Sequence, residues 1–365
     1  MSYNFVKKCR LCKCKVLKNV LELNSTPIGD DYLKTRKYDQ KKFPIKLLKC
    51  LKCNFVQLSV NIDPNEVYGD YLYVTKTSSG LTDHFKNLVI FLEKKKVVYK
   101  DAKVLEIGCN DGTLLEFLNK KKCKVVGVDP ASKIVNKLKF NIYKGLYDFS
   151  LSKKINNKHG KFDLIVANNV IANIDDLDDI FRSLNHNLSL NGNFVMETFS
   201  LHGLLKNNLL DNIYHEHISY ISIEPIKKFA EKYGLHLRYA NQLKVKGGSL
   251  RLIFSKKKPN KTEQLNLNKI IKKENLLVKK KDVFKKLAEQ NNLNRNNIYA
   301  FIKQQHYMGK KIYGYGASVG TTTNIYYLNI IKYIDAIFDD ESLRHNLYLP
   351  GTGIKVISPK KLKKI

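Results

Sequence analysis

Across the middle of the chain, short apolar runs alternate with longer mixed stretches, the rhythm of strands followed by crossing helices. The β-branched and aliphatic run from Val104 to Ile107 predicts a strand, Gly108 to Gly112 a turn, and the residues from about Thr113 a helix. "KVVGVDPA" predicts a second strand ending in Asp129, and "FDLIVANNVIAN", from Phe162 to Asn173, has the pattern of a fourth. "NGNFVMETF", with Glu197 and Thr198 near its end, fits a fifth strand, and "LRYANQ" and "LRLIFS" fit a final antiparallel pair. These elements predict an α/β fold with a doubly wound sheet. A Lys-rich helical stretch begins near Ser255, followed by "KKIYGYGASVGTTTNIYYL", read as strand, glycine turn and helix. "IDAIFDD" and "IKVIS" add two more strands, few for a stable parallel sheet. Gly314, Gly316 and the helix start either hold an anion through backbone N–H groups or form a tight packing turn.

A chain of 365 residues is too long for one small core. The patterns divide it into residues 1–70, a cysteine-bearing module; 71–255, the doubly wound core; and 256–365, a smaller C-terminal α/β domain. Lys+Arg is 65 against Asp+Glu 33, a formal net charge of +32. That excess suggests a polyanionic partner. Seven of the basic residues are Arg, however, and lysines are scattered through every segment, whereas phosphate and base recognition draws on the bidentate arginine fork. The reading is therefore a solvated Lys-rich surface, with nucleic acid an unfavoured partner and a positive field suited to a phosphorylated small substrate. The start, "MSYNFVKKCR", lacks the apolar core of a signal peptide, and no apolar run approaches a membrane span. A soluble, cytoplasmic protein without a membrane partner is expected.

In a reducing compartment seven cysteines point to metal ligands or core residues. "CRLC" (Cys9, Cys12) and "CLKC" (Cys50, Cys53) are two C-x-x-C knuckles, each able to aim two thiolates at one ion. Together they make a closed tetrahedral sulfur site of the zinc-ribbon type, which folds a module and leaves no position for substrate. Cys14 is a spare or substitute ligand.

The turn E-x-G-x-x-x-G carries Glu106, Gly108, Asn110, Asp111 and Gly112, and Asp129 and Pro130 follow at the end of the next strand. Glycines let backbone approach a ligand, and an acid at the end of strand two suits a ribose diol. With Asn168 and Asn169 closing the fourth strand, the set looks like the S-adenosylmethionine site of class I methyltransferases, Rossmann-like in fold. "YHEHISY" then crowds Tyr214, His215, Glu216, His217 and Tyr220 into one segment. It reads as acid/base chemistry, as a satisfied polar loop or as a metal site, and the helical metalloprotease spacing H-E-x-x-H is absent.

Taken in order, "CRLC…CLKC", "GDYLY", "LEIGCNDGTLL", "YHEHISYIS", "GGSLR", "GYGA" and "PGTGIKVISP" resemble the zinc-containing nucleotide-sugar C-methyltransferases of deoxysugar biosynthesis, along nearly the whole chain. The resemblance implies methylation at C3 of a nucleotide-linked 4-keto sugar, a structural zinc ion, and His217 as base. A proton beside a ketone leaves only with a base and with donors for the enolate oxygen. Glu216 is expected to hold the charge and orientation of His217, and Tyr214 or Tyr73 to donate to the oxygen. Asn173 stands where this family usually has a histidine, Lys246 precedes "GGSLR" where relatives commonly have another, and Val319 replaces a usual lysine. "DDESLRHN" also stands in place of a lysine-glycine stretch, and relatives normally continue further. These departures lie on the acceptor side. O- or N-methylation of a sugar, a cofactor-binding member without activity, and an RNA methyltransferase are the competing readings.

Overall fold

The computed structural model describes residues 3–68, 74–136 and 138–364. At its centre lies a seven-stranded sheet built from β1 (Lys103–Ile107), β2 (Lys124–Asp129), β3 (Asn141–Lys144), β4 (Phe162–Asn168), β5 (Leu188–Phe199), β6 (His236–Leu243) and β7 (Ser249–Ser255). Their order is β3-β2-β1-β4-β5-β7-β6. The first five are parallel, whereas β7 runs antiparallel to β5 and β6 antiparallel to β7. Both faces are covered, which is why the strands read as nearly continuous apolar runs. Leu105, Ile107, Val126 and Val128 point to one core, and Val104, Val125, Leu164 and Val166 to the other. Phe181 anchors the first, its ring edge-on to Phe194, Phe229 and Phe254 at centroid separations of 5.1 to 6.3 Å. The order in which strands are added reverses between the parallel neighbours β1 and β4, and this switch point leaves a crevice at the carboxyl ends of the strands.

The N-terminal module is a four-stranded sheet of Leu17–Thr26, Phe43–Cys50, Val56–Leu58 and, from far along the chain, Ser219–Tyr220. The last strand pairs Ser219 with Gln57 and Tyr220 with Val56. The end of the "YHEHISY" segment is thus part of the cysteine module's sheet. Beyond β7, helices Lys261–Val278 and Val283–Tyr307 lead into a parallel sheet of Tyr313–Tyr315, Ala336–Phe338 and Lys355–Ile357. Leu33 bridges to Tyr348, and the Gly351 amide donates to Gln40, so this small sheet also docks on the N-terminal module. No helix among the described residues is long and apolar enough to cross a membrane.

Candidate active site

The two cysteine knuckles have the same backbone plan. In each, the first cysteine's carbonyl accepts from the residue after the second cysteine, Lys13 or Asn54, and those two residues take left-handed φ of 59° and 62°. The four sulfurs lie within 4.8 Å of one another, with Cys9–Cys53 and Cys12–Cys50 each 3.5 Å apart. Zinc–sulfur bonds of about 2.3 Å at tetrahedral angles put sulfurs about 3.8 Å apart, so the cluster fits a structural zinc ion. Cys14 stands aside, its sulfur accepting from the Val16 amide.

At the switch point, β1 leads into a turn that only particular residues allow. Gly108 has φ of 74°, and a Cβ there would strike the Val170 side chain. The left-handed φ and the Val170 side chain both make Gly108 intolerant of a larger residue. Gly112, at φ 73°, begins helix Thr113–Lys120. The Asp129 carboxylate accepts from the Asn110 and Ala131 amides, both at 2.8 Å, and so ties the turn to the end of β2. Asn110 accepts from the Thr75 amide and hydroxyl, and Asp111 from the Lys76 amide at 2.8 Å, which clamps residues 75–77 over the turn.

A cleft of about 390 Å³ opens here, walled by Glu106, Gly108, Asn110, Asp129, Pro130, Asn168, Asn169 and Asn173. Asp111 and Gly112 stand behind its wall and shape it. Sequence reasoning missed Thr75 and the loop from Gly145 to Asp148, which also line it and carry no local signature. Within the wall, one oxygen of Glu106 and both polar atoms of Asn168 are buried without a partner. Burial, with Asp129 and Asp111 adding to it, pushes the Glu106 carboxyl well above the usual range. Acids and unpaired amide groups around a glycine turn fit S-adenosylmethionine, which offers an ammonium, a ribose diol and an adenine edge.

The His215–His217 segment adjoins this cleft through a second, polar cavity of about 320 Å³ lined by Asn61, Asp63, His215 and Glu216. Pro64, Asn173 and Asp175 belong to both walls. The Asn173 Oδ1 is buried there without a partner. His217 sits just outside, stacked on Phe199 at 4.0 Å. Its Nδ1 lies 2.9 Å from the Asn212 carbonyl and its Nε2 2.7 Å from the Tyr214 hydroxyl. A carbonyl only accepts, so Nδ1 carries the hydrogen and Nε2 is the basic nitrogen. Burial holds His217 down to about 3 and His215 to about 4, so both are neutral near pH 7. His215 faces the Phe43 carbonyl instead, so the two histidines do not converge on one point.

Glu216 is pushed up to about 8, by burial first and then by Asp30, while Lys246 and Arg344 pull the other way. Its electrostatic partners are therefore these three groups rather than His217, the partner expected from sequence. Lys246 projects from the β6–β7 connection into the cofactor cleft. Tyr73, with "GDYLY", lies outside the described residues. In the C-terminal glycine turn the amides of Gly316 and Ala317 are taken by Phe338 and Asp339. A Cβ on Gly320 would meet the Asp211 carbonyl, and Val319 packs on Gly29. That turn is a packing device.

Three family models match in sequence order: "Putative zinc binding domain" over residues 9–68, "Methyltransferase domain" over 84–240 and "C-methyltransferase C-terminal domain" over 244–365. The chain belongs to the zinc-containing C-methyltransferase family. It is 28% identical over 250 residues to C-methyltransferase NovU of Streptomyces niveus, a match spanning 67% of this chain and 60% of that relative. A ubiquinone biosynthesis O-methyltransferase of Pelagibacter ubique is 28% identical over 105 residues, 28% of this chain and 43% of the relative. Similar solved structures include the magnesium protoporphyrin IX methyltransferase of Synechocystis with bound SAH (TM-score 0.37, 16% identity, 48% of this chain and 83% of that one). The PH0226 protein of Pyrococcus horikoshii has TM-score 0.39 and 19% identity, covering 53% of this chain and 99% of its own.

Proposed function

We propose that this chain is an S-adenosylmethionine-dependent methyltransferase that acts on the carbon beside the ketone of a nucleotide-linked sugar. The observation that carries the reading is the defined tautomer of His217, which makes Nε2, hydrogen-bonded to the Tyr214 hydroxyl, the basic nitrogen of a residue whose chain neighbours Glu216 and Ile218 line the second cavity. Bound in the cleft, S-adenosylmethionine supplies a methyl group on a sulfonium. The polar second cavity, with Asn61, Asp63, Asn173 and Glu216 in its wall, suits an acceptor rich in hydroxyls. His217 takes the proton from carbon at Nε2, and the Asn212 carbonyl on Nδ1–H then favours the imidazolium. The Tyr214 hydroxyl, hydrogen-bonded to Nε2 at rest, turns from it to donate to the developing oxygen charge as Nε2 takes the proton.

The test uses a nucleoside diphosphate 4-keto-6-deoxyhexose as acceptor and locates the transferred methyl by NMR. His217→Asn should keep the fold and the affinity for S-adenosylhomocysteine, yet lower turnover by about 10²- to 10⁴-fold, the range for a lost general base. It should also abolish exchange of the acidic C–H with deuterated solvent. A methyl on oxygen or nitrogen, or exchange at the wild-type rate in the variant, would overturn the reading.

A further inference from the structure

A buried histidine that binds its proton weakly makes removal of a carbon-bound proton harder, so the negative oxygen left on the acceptor needs strong stabilisation. The charged groups on the described cleft wall are nearly all acids: Glu106, Asp129, Asp148, Asp175, Asp176 and Asp179. Among the described lining residues, Lys246 is the one cation. It lines the cofactor cleft, within electrostatic reach of His217 and of Glu216, which lines the adjoining cavity.

The backbone has gone out of its way to put it there. Lys246 takes φ 48° and ψ 39°, a left-handed conformation that residues with a side chain seldom adopt and that recurs at functional sites. Gly247 and Gly248 follow at φ 74° and 149°. The turn cannot relax easily: the Gly248 amide bonds back to Val245, its carbonyl accepts from Ser200 at the end of β5, and the Gly247 carbonyl accepts from Asn207. Exposed Lys96 and Lys122 take the same left-handed φ, so here the conformation fixes where the exposed Lys246 sits rather than marking it by itself.

Resting on the carbon-methylation reading, we infer that Lys246 is a further catalytic residue, whose ammonium holds the negative oxygen formed when the acceptor ketone loses its α-proton. In that step the C–H bond breaks and the proton passes to Nε2 of His217. The bonding pair becomes the C=C bond, and the carbonyl π pair moves onto oxygen. Lys246 keeps its proton and donates a hydrogen bond to that oxygen. Desolvation by the surrounding protein makes the Lys246 ammonium easier to deprotonate, and Glu216 opposes this only in its ionised form.

Lys246→Met, Lys246→Arg and wild type are compared with the same nucleoside diphosphate 4-keto-6-deoxyhexose. The methionine variant should lower both kcat and solvent deuterium exchange by about 10²- to 10³-fold, the usual cost of one lost oxyanion donor, with KM and S-adenosylhomocysteine affinity nearly unchanged. The arginine variant should recover at least about tenfold of that loss and shift the alkaline limb of the rate profile upward, because a guanidinium does not titrate there. Turnover of Lys246→Met within about threefold of wild type, or a loss confined to KM, would overturn the inference. The site of methylation decides separately. A methyl on oxygen or nitrogen sinks the parent reading and this inference with it, whereas a methyl on carbon with turnover unchanged in Lys246→Met sinks the inference alone.

Discussion

Single residues in this site are governed by burial, and the sign of each effect can be checked. Glu216 titrates near 8 in the folded chain against about 4.5 for an ordinary glutamate, so its protonated form stabilises the fold. That contribution is complete below pH 4.5 and is lost as pH rises through 8. Glu216→Gln should therefore match wild type near pH 4 and gain on it by up to about 1.4 kcal/mol for each pH unit between 4.5 and 8. Urea unfolding at several pH values reads this, and a constant difference would refute it. Asp129 is a second case. Its carboxylate both braces the Asn110 and Ala131 amides and faces the cleft, so Asp129→Ala should weaken S-adenosylhomocysteine binding by about 1–3 kcal/mol in calorimetric titration. Unchanged affinity would give the turn another role.

Among the elements, the first cysteine knuckle does more than hold a metal. Arg10, between Cys9 and Cys12, is buried and donates to the carbonyls of Leu58 and Ile218, to Asn61, and to Asp175 at 2.9 Å. One guanidinium thus joins the knuckle, the strand Val56–Leu58, the segment after His217 and the shared wall of the two cavities. Arg10→Met would leave those carbonyls unpaired in a dry place and should cost about 1.5–3 kcal/mol of stability. Denaturant unfolding measures it. A variant as stable as wild type would mean that water replaces the guanidinium.

For the whole molecule, the consequence is that the cysteine cluster and the proposed reaction site share one sheet. Ser219–Tyr220 completes the N-terminal module, so the segment proposed for acid/base chemistry is tied through that sheet to the cysteine cluster. Purified protein should carry about one zinc per chain. Stripping it with a strong chelator should speed amide exchange at Leu58 and Tyr220 by at least about tenfold, while protection in β1 and β4 changes little, as expected of separate cooperative units. Equal exchange with and without metal would detach the module from the site. The net charge of +32, by contrast, scarcely enters the described cleft wall, where acids outnumber Lys246.

Much of this protein follows from residues close together in the chain. Two C-x-x-C pairs, a glycine turn after a strand, and an acid at the next strand's end each encode their local geometry. Burial periodicity then orders the core strands, and the described sheet follows that reading. Other features needed partners far away in sequence, which a linear pattern does not encode. Whether the turn around Gly316 binds an anion or packs tightly could not be read, because glycine serves both; Asp339 and the Asp211 carbonyl decide it. That Glu216 answers to Asp30, Lys246 and Arg344 depends on three segments meeting at one place. Lys246 reads as one lysine among many until its left-handed backbone and the acidic wall around it are seen together. The physical reason is the same throughout: neighbours along the chain set backbone shape, whereas neighbours in space set burial, and burial sets charge.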